Sequence, residues 1–87
     1  MADAQVIDGK VVRGTPLYRI TRELESNPDQ EHYTIYAGEL RDVAKSLDSK
    51  DKAAVFILSA TENKIPGEQI RVKAGELKSL INAALGK

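Results

Sequence analysis

Histidine and paired carboxylates are the residues of this chain that could carry catalysis. His32 is the only histidine, and Glu23 and Glu25 form the closest approach to a carboxylate pair. A general base needs a nucleophile or substrate within hydrogen-bond reach, and no serine motif brackets His32. Two carboxylates spaced two apart on a strand are more typical of a solvated edge than of an acid/base pair. We therefore expect that the protein is not an enzyme.

The residue types that hold metals and cofactors are also poorly represented. The chain has no cysteine, which excludes disulfides, thiolate nucleophiles and cysteine zinc sites. Aspartate and glutamate are spread along the sequence without the spacing of a ligand set. There is no glycine-rich phosphate loop and no dinucleotide-binding fingerprint. The sequence therefore predicts no metal and no other cofactor.

Aromatic and basic residues point to a different chemistry, which is binding. Alternation along extended runs places five of them on one face of a predicted sheet. These five residues are Arg19, Tyr36, Phe56, Arg71 and Lys73. Aromatic rings stack on bases while basic groups meet phosphates, so this face could bind single-stranded DNA or RNA. The other interpretation is a protein interface with Phe56 at its apolar centre and the charges at its rim.

The charge balance favours the second interpretation. The chain carries 13 basic and 13 acidic residues, and so has no net charge at pH 7. Proteins that hold nucleic acid by bulk charge need an excess of Lys and Arg. We therefore expect a homodimer or a protein partner on this face, with single-stranded nucleic acid as the alternative ligand.

A repeat with an offset of 37 residues organises these positions. Residues 17–48 align with residues 54–85, and Ala-Gly-Glu-Leu occurs at 37–40 and again at 74–77. Each copy is followed by apolar residues at the i, i+3, i+4, i+7 spacing of an amphipathic helix. Before each helix stand two runs that resemble strands, and these runs are LYRITRELE (17–25) with HYTIYA (32–37), and AAVFILSATE (53–62) with QIRVKA (69–74). Each half is therefore predicted as strand, turn, strand, helix.

The predicted fold is α+β, with duplicated ββα units that form one antiparallel sheet of four or five strands backed by two helices on one face. Residues 1–87 form a single domain, and residues 1–14 form an N-terminal arm or an extra strand. The halves are related by a pseudo-twofold axis or by a translation. Alternation assigns eight residues to the core side of the sheet. They are Tyr18, Ile20, Tyr33, Ile35, Val55, Ile57, Ile70 and Val72.

The run VFILSATENKIPGEQIRVKAGELKSLINAAL, residues 55–85, resembles the end of a family of transcriptional coactivators. In that family two strands joined by a polar Pro-Gly turn, here Pro66-Gly67, lead into a C-terminal amphipathic helix. The family's basic, glycine-containing strand is replaced by EQIRVK, its helix aromatic by Leu77 or Leu80, and its ββββα order by the duplicated ββα order. The resemblance implies single-stranded DNA as a ligand and a dimer as the binding form.

Hydropathy and the N-terminal sequence indicate where the protein works. The longest apolar run, AAVFIL at 53–58, is too short to cross a bilayer. The first ten residues lack the charged and then apolar pattern of a signal peptide. We expect a cytoplasmic protein without membrane contact. Its predicted role is that of a small non-catalytic binding or regulatory module.

Overall fold

The computed structural model describes residues 5–86, and within that range the chain forms four helices and four short strands. The helices are α1 (Pro16–Ser26), α2 (Ala37–Lys45), α3 (Lys52–Ala60) and α4 (Ala74–Ala84). The strands are β1 (Val6–Ile7), β2 (Lys10–Val11), β3 (His32–Tyr36) and β4 (Gln69–Lys73). The predicted α+β class is confirmed. The predicted arrangement of duplicated ββα units in one sheet is wrong, because these strands form two separate antiparallel pairs, β1–β2 and β3–β4.

The first error concerns residues 17–25, which were predicted as a strand and belong to α1. The Thr15 side chain caps this helix by accepting a hydrogen bond from the Tyr18 N–H at 3.2 Å. Pro16 occupies the first helical position, where its fixed backbone angle fits and its missing N–H is not needed. Leu17 and Ile20, three residues apart on one helical face, are fully buried. In a strand with Ile20 on the core side, Leu17 would lie on the opposite face, and the helical periodicity explains why both are buried.

The second error concerns residues 53–62, most of which belong to α3. The Asp51 carboxylate caps this helix by accepting a hydrogen bond from the Ala53 N–H at 2.9 Å. Ala54, Ile57 and Thr61 follow the i, i+3, i+7 spacing and are buried. Val55, assigned to the core as a strand residue, is 50% exposed. The likeness to the coactivator family also fails here, because its first strand would coincide with α3.

Strands β3 and β4 pair in antiparallel register and form a ribbon that joins the two halves of the chain. Thr34 lies opposite Arg71 at the centre, and these two positions are themselves 37 residues apart. Moving each residue of β3 forward by 37 positions, and each residue of β4 back by 37, converts every pair of the ribbon into another pair of the ribbon. The pair His32–Lys73, for example, becomes Gln69–Tyr36. A translation would leave the two strands pointing the same way, whereas these are antiparallel. The ribbon therefore has a pseudo-twofold axis that passes between Thr34 and Arg71.

Each strand of the ribbon continues directly into a helix. The first amide of α2, on Ala37, donates to the carbonyl oxygen of Glu68 at 2.8 Å, and the first amide of α4, on Ala74, donates to that of Glu31 at 2.8 Å. These bonds extend the ribbon ladder by one rung at each end. They also satisfy helix N-terminal amides that would otherwise need a side-chain cap. Neither α2 nor α4 has such a cap.

The hydrophobic core lies beneath the ribbon, between its inner side and the four helices. Tyr33, Ile35 and Val72 of the ribbon are buried, as the alternation predicted, and Ile70 is half-buried. All four helices contribute buried residues to the core. These residues are Leu17, Ile20, Leu40, Val43, Ala44, Ala54, Ile57, Leu77, Leu80 and Ile81. The core thus takes one layer of side chains from the strands and the rest from the helices.

Residues 5–11 fold as a hairpin at the start of the described chain. Strands β1 and β2 are joined by Asp8 and Gly9, whose φ angles of 53° and 77° suit a two-residue turn of type I′. The Gln5 side chain accepts a hydrogen bond from the Leu17 N–H at 2.9 Å and so fixes the hairpin to α1. Residues 1–4 of the predicted N-terminal arm lie outside the described range. Among the helices of residues 5–86, none has the length and apolar character needed to cross a membrane.

Candidate functional site

The outward side of the β3–β4 ribbon presents six side chains that can form hydrogen bonds or carry positive charge. We call this surface the ribbon face, and it consists of His32, Thr34, Tyr36, Gln69, Arg71 and Lys73. Five of these residues are exposed and His32 is half-buried. None of the six is acidic or aliphatic. This composition follows from strand alternation, which sends the apolar residues of β3 and β4 inward.

The register fixes how the six side chains are arranged. His32 lies opposite Lys73, Thr34 opposite Arg71 and Tyr36 opposite Gln69. Directly opposed residues of antiparallel strands have Cβ atoms about 5 Å apart, so each pair acts as one contact point. The Arg71 Nη2 atom lies 3.4 Å from His32 Nδ1, across the ribbon. Positive charge is therefore concentrated at the end with His32 and Lys73, and the other end carries a ring and an amide.

Arg19 lies beside the ribbon face, on α1. It lines a surface depression together with Thr34, Tyr36 and Glu39. Its Nε atom forms an ion pair with Glu39 at 3.1 Å, and its Nη1 atom donates to the Gly14 carbonyl oxygen at 3.2 Å. The Glu39 carboxylate compensates the charge of Arg19. The residue was predicted on a strand of the sheet, and this assignment is wrong because residue 19 belongs to α1.

Phe56 was also predicted on a strand of the sheet, and this assignment is wrong because residue 56 belongs to α3. It lies on α3, where its side chain is 47% exposed. It borders a shallow depression with Lys52, Glu76 and Ser79, none of which is a ribbon residue. The predicted mixed face is therefore not one surface. Tyr36, Arg71 and Lys73 share the ribbon face, Arg19 flanks it, and Phe56 belongs to a different patch.

His32, Thr34 and Gln69 were not among the residues predicted to form the site. The strand alternation that placed Tyr36 and Lys73 on this face applies equally to these three residues, because they occupy alternate positions of the same two strands. His32 was weighed only as a catalytic base. Its place on the ribbon, against Arg71, makes it part of the ribbon face.

Neither metal-ligand clusters nor known relatives offer another guide to function. Within residues 5–86, no three side chains of His, Asp or Glu come together in a group that could hold a metal ion. Comparison with protein-family models, with curated proteins and with solved structures finds no match to this chain. The ribbon face is therefore the feature of the molecule from which a function can be proposed.

Proposed function

We propose that this protein is a non-catalytic DNA-binding protein that inserts its β3–β4 ribbon into the major groove of duplex DNA. The observation that carries the proposal is the ribbon face, an antiparallel two-stranded ribbon whose exposed side chains are hydrogen-bonding or basic. The major groove is about 12 Å wide and admits a two-stranded β-ribbon. Several DNA-binding proteins read DNA with strands placed in this way.

The side chains of β4 have the chemistry that base recognition needs. Arg71 carries a planar guanidinium that can pair with the O6 and N7 atoms of guanine, and Gln69 an amide that can pair with adenine. Lys73, at the end of the strand, can meet a base edge or a phosphate. The buried inner side chains anchor the ribbon on the helices, so the outer groups are presented from a rigid support.

Duplex DNA fits this geometry better than single-stranded nucleic acid, the alternative ligand expected from the sequence. Single-strand binding uses several aromatic rings on which successive bases stack. The separation of Phe56 from Tyr36 removes one ring from the surface, and Tyr33 is buried on the inner side. What remains is mainly a set of hydrogen-bonding groups, which suits base edges in a groove rather than exposed base faces.

The proposal is tested by fluorescence anisotropy with labelled duplex DNA, single-stranded DNA and RNA at 50 and 200 mM salt. We expect preference for the duplex and an affinity that falls roughly 10- to 50-fold between the two salt concentrations, as contact with two or three phosphates requires. Arg71→Ala with Lys73→Ala should weaken duplex binding at least about tenfold, because each lost base contact is worth about 1–3 kcal/mol.

The matched control is Lys50→Ala with Lys78→Ala. These lysines are exposed and lie outside the ribbon, so the variant removes the same formal charge without touching the ribbon face. It should keep duplex affinity within about twofold. Equal losses in the two double variants would contradict a defined site on the ribbon. Absence of duplex binding at 50 mM salt would refute the proposed function.

A protein interface is the second candidate function, and a separate observation favours it. Helix α3 has one charged residue, Lys52, and it exposes Val55 and Phe56 by about half. Large apolar side chains exposed on a helix with little charge favour a protein contact surface. We propose self-association through this surface, which would give the homodimer expected from the sequence a location distinct from the ribbon face.

A further inference from the structure

The pseudo-twofold axis of the ribbon makes three outward positions of β3 equivalent to three of β4. His32 corresponds to Gln69, Thr34 to Arg71 and Tyr36 to Lys73, because each pair is related by the offset that maps the register onto itself. Equivalent positions lie at the same distance from the axis, on opposite sides of it. In a groove, the two sets of side chains would therefore meet base pairs at equal distances on either side of the centre.

The side chains at these equivalent positions differ in every case. A ribbon built from two identical chains presents the same residues on both sides of its axis, and its target mirrors that symmetry as a palindrome. Here one chain supplies both strands, and their outward groups differ. Strand β3 presents the imidazole of His32, the hydroxyl of Thr34 and the phenol of Tyr36. Strand β4 presents an amide, a guanidinium and an ammonium group at the equivalent positions. The backbone is symmetric while the reading groups are not.

From this asymmetry we infer that one ribbon reads a non-palindromic duplex site with a guanine near its centre on one strand only. The inference rests on the proposed function and defines its substrate class. Arg71 lies beside the axis and is the residue best suited to a bidentate contact with guanine. Thr34, its equivalent, has a hydroxyl and a methyl group and cannot make that contact. The guanine requirement therefore applies to one half of the site.

The experiment is selection of bound sequences from a duplex pool with a randomised centre, carried out with the full chain. The wild-type protein should enrich one non-palindromic motif that contains the central guanine. Arg71→Ala should relax the preference at that position about tenfold or more while the other positions keep theirs. Association of two chains would appear as two copies of the motif, each still non-palindromic.

Symmetrised variants provide the decisive comparison. His32→Gln with Thr34→Arg and Tyr36→Lys gives β3 the outward residues of β4, and we expect this variant to select a palindrome. The reciprocal variant, Gln69→His with Arg71→Thr and Lys73→Tyr, also yields a symmetric ribbon but removes both of its basic side chains, so it should weaken duplex binding at least about tenfold, as Arg71→Ala with Lys73→Ala does. Both change outward positions only, and circular dichroism checks that each is folded.

The outcomes separate this inference from the proposed function. A single motif that is itself palindromic, as distinct from two inverted copies of a non-palindromic motif, would overturn the inference and leave DNA binding in place, and so would duplex binding without sequence preference. Unchanged motifs from a folded symmetrised variant would overturn it as well. Failure to recover any duplex at low salt would overturn both.

Discussion

Gly38, the second residue of α2, lies against Pro66 of the other half of the chain. Its N–H donates to the Pro66 carbonyl oxygen at 3.0 Å. A Cβ atom at this position would lie 2.9 Å from Pro66 Cβ and 3.1 Å from the Pro66 carbonyl oxygen. At Gly75, the equivalent position of α4, no atom beyond its own helix backbone and chain neighbours lies within 4 Å of the corresponding point. The repeated Ala-Gly-Glu-Leu thus uses its glycine for close packing in the first copy alone.

We predict that Gly38→Ala and Gly75→Ala have opposite effects on stability. Gly38→Ala forces the backbone of Pro66 to move and should lower the free energy of unfolding by about 1–3 kcal/mol. Gly75→Ala adds a methyl group to open space within a helix and should raise it by about 0.5–1 kcal/mol. Urea unfolding of both variants measures the two changes. Equal effects would show that the Pro66 contact does not constrain α2.

At the scale of elements, the start of α1 depends on Thr15. Its hydroxyl oxygen accepts from the Tyr18 N–H at 3.2 Å and its hydroxyl group donates to the Val12 carbonyl oxygen at 2.7 Å. The residue is 9% exposed, so water does not readily replace these bonds. Thr15→Ala should therefore destabilise the protein by about 1–2 kcal/mol, the usual range for loss of a helix N-cap.

Thr15→Ser is the matched variant for this prediction, because it keeps the hydroxyl group and removes only a methyl. It should retain most of the stability that Thr15→Ala loses. Thermal unfolding followed by circular dichroism compares the three proteins. If Thr15→Ser were as unstable as Thr15→Ala, burial of the methyl group rather than capping would fix the start of α1.

The same elements explain what the sequence could and could not predict. Helices α2 and α4 and strands β3 and β4 were recognised because each has a single clear periodicity. Helices α1 and α3 are rich in β-branched and aromatic residues, and Ile20 and Ile57 fall on the core side under either periodicity. Leu17 and Val55 distinguish a helix from a strand, because a strand would expose Leu17 and bury Val55, and the opposite is observed. The N-cap residues Thr15 and Asp51 were the local sequence signals for helices.

The accuracy of the predicted site depended on whether each element had been assigned correctly as a helix or a strand. Tyr36, Arg71 and Lys73 were placed correctly on one face because β3 and β4 were correctly assigned. Arg19 and Phe56 were placed on that face only because their helices had been interpreted as strands. The pairing of β3 with β4 brings together residues that are far apart in the sequence. Tyr33 pairs with Val72, 39 positions away, and no local sequence pattern determines such a pairing.

At the scale of the whole molecule, the ribbon makes the two halves of the chain dependent on each other. Strand β3 pairs with β4 alone, and the first amides of α2 and α4 bond to carbonyl groups of the other half. Neither half can therefore satisfy its backbone groups by itself. This interdependence keeps the outward side chains of β3 and β4 in one register, which the proposed reading of DNA requires.

Helix α3 lies outside this arrangement of backbone bonds and is the element best suited to contact a second copy of the chain. Val55 and Phe56 are exposed, while Lys52 and Glu76 border the depression beside Phe56. A twofold-symmetric interface needs a surface that complements itself, and an apolar centre flanked by one base and one acid meets that condition. A domain of this size also gains stability from burying such a surface.

We predict that the wild-type protein sediments as a dimer at about 100 µM and that Val55→Ser with Phe56→Ser shifts it to a monomer. The control is Ile7→Ser with Ile65→Ser, which removes two exposed apolar side chains, 55% and 68% accessible, from outside α3. It should leave the dimer intact, because exposed apolar residues scattered singly contribute little to association. Sedimentation velocity over a concentration series measures the equilibrium. A wild-type monomer at the highest concentration would contradict self-association, and dissociation of the Ile7→Ser with Ile65→Ser variant alone would place the interface outside α3.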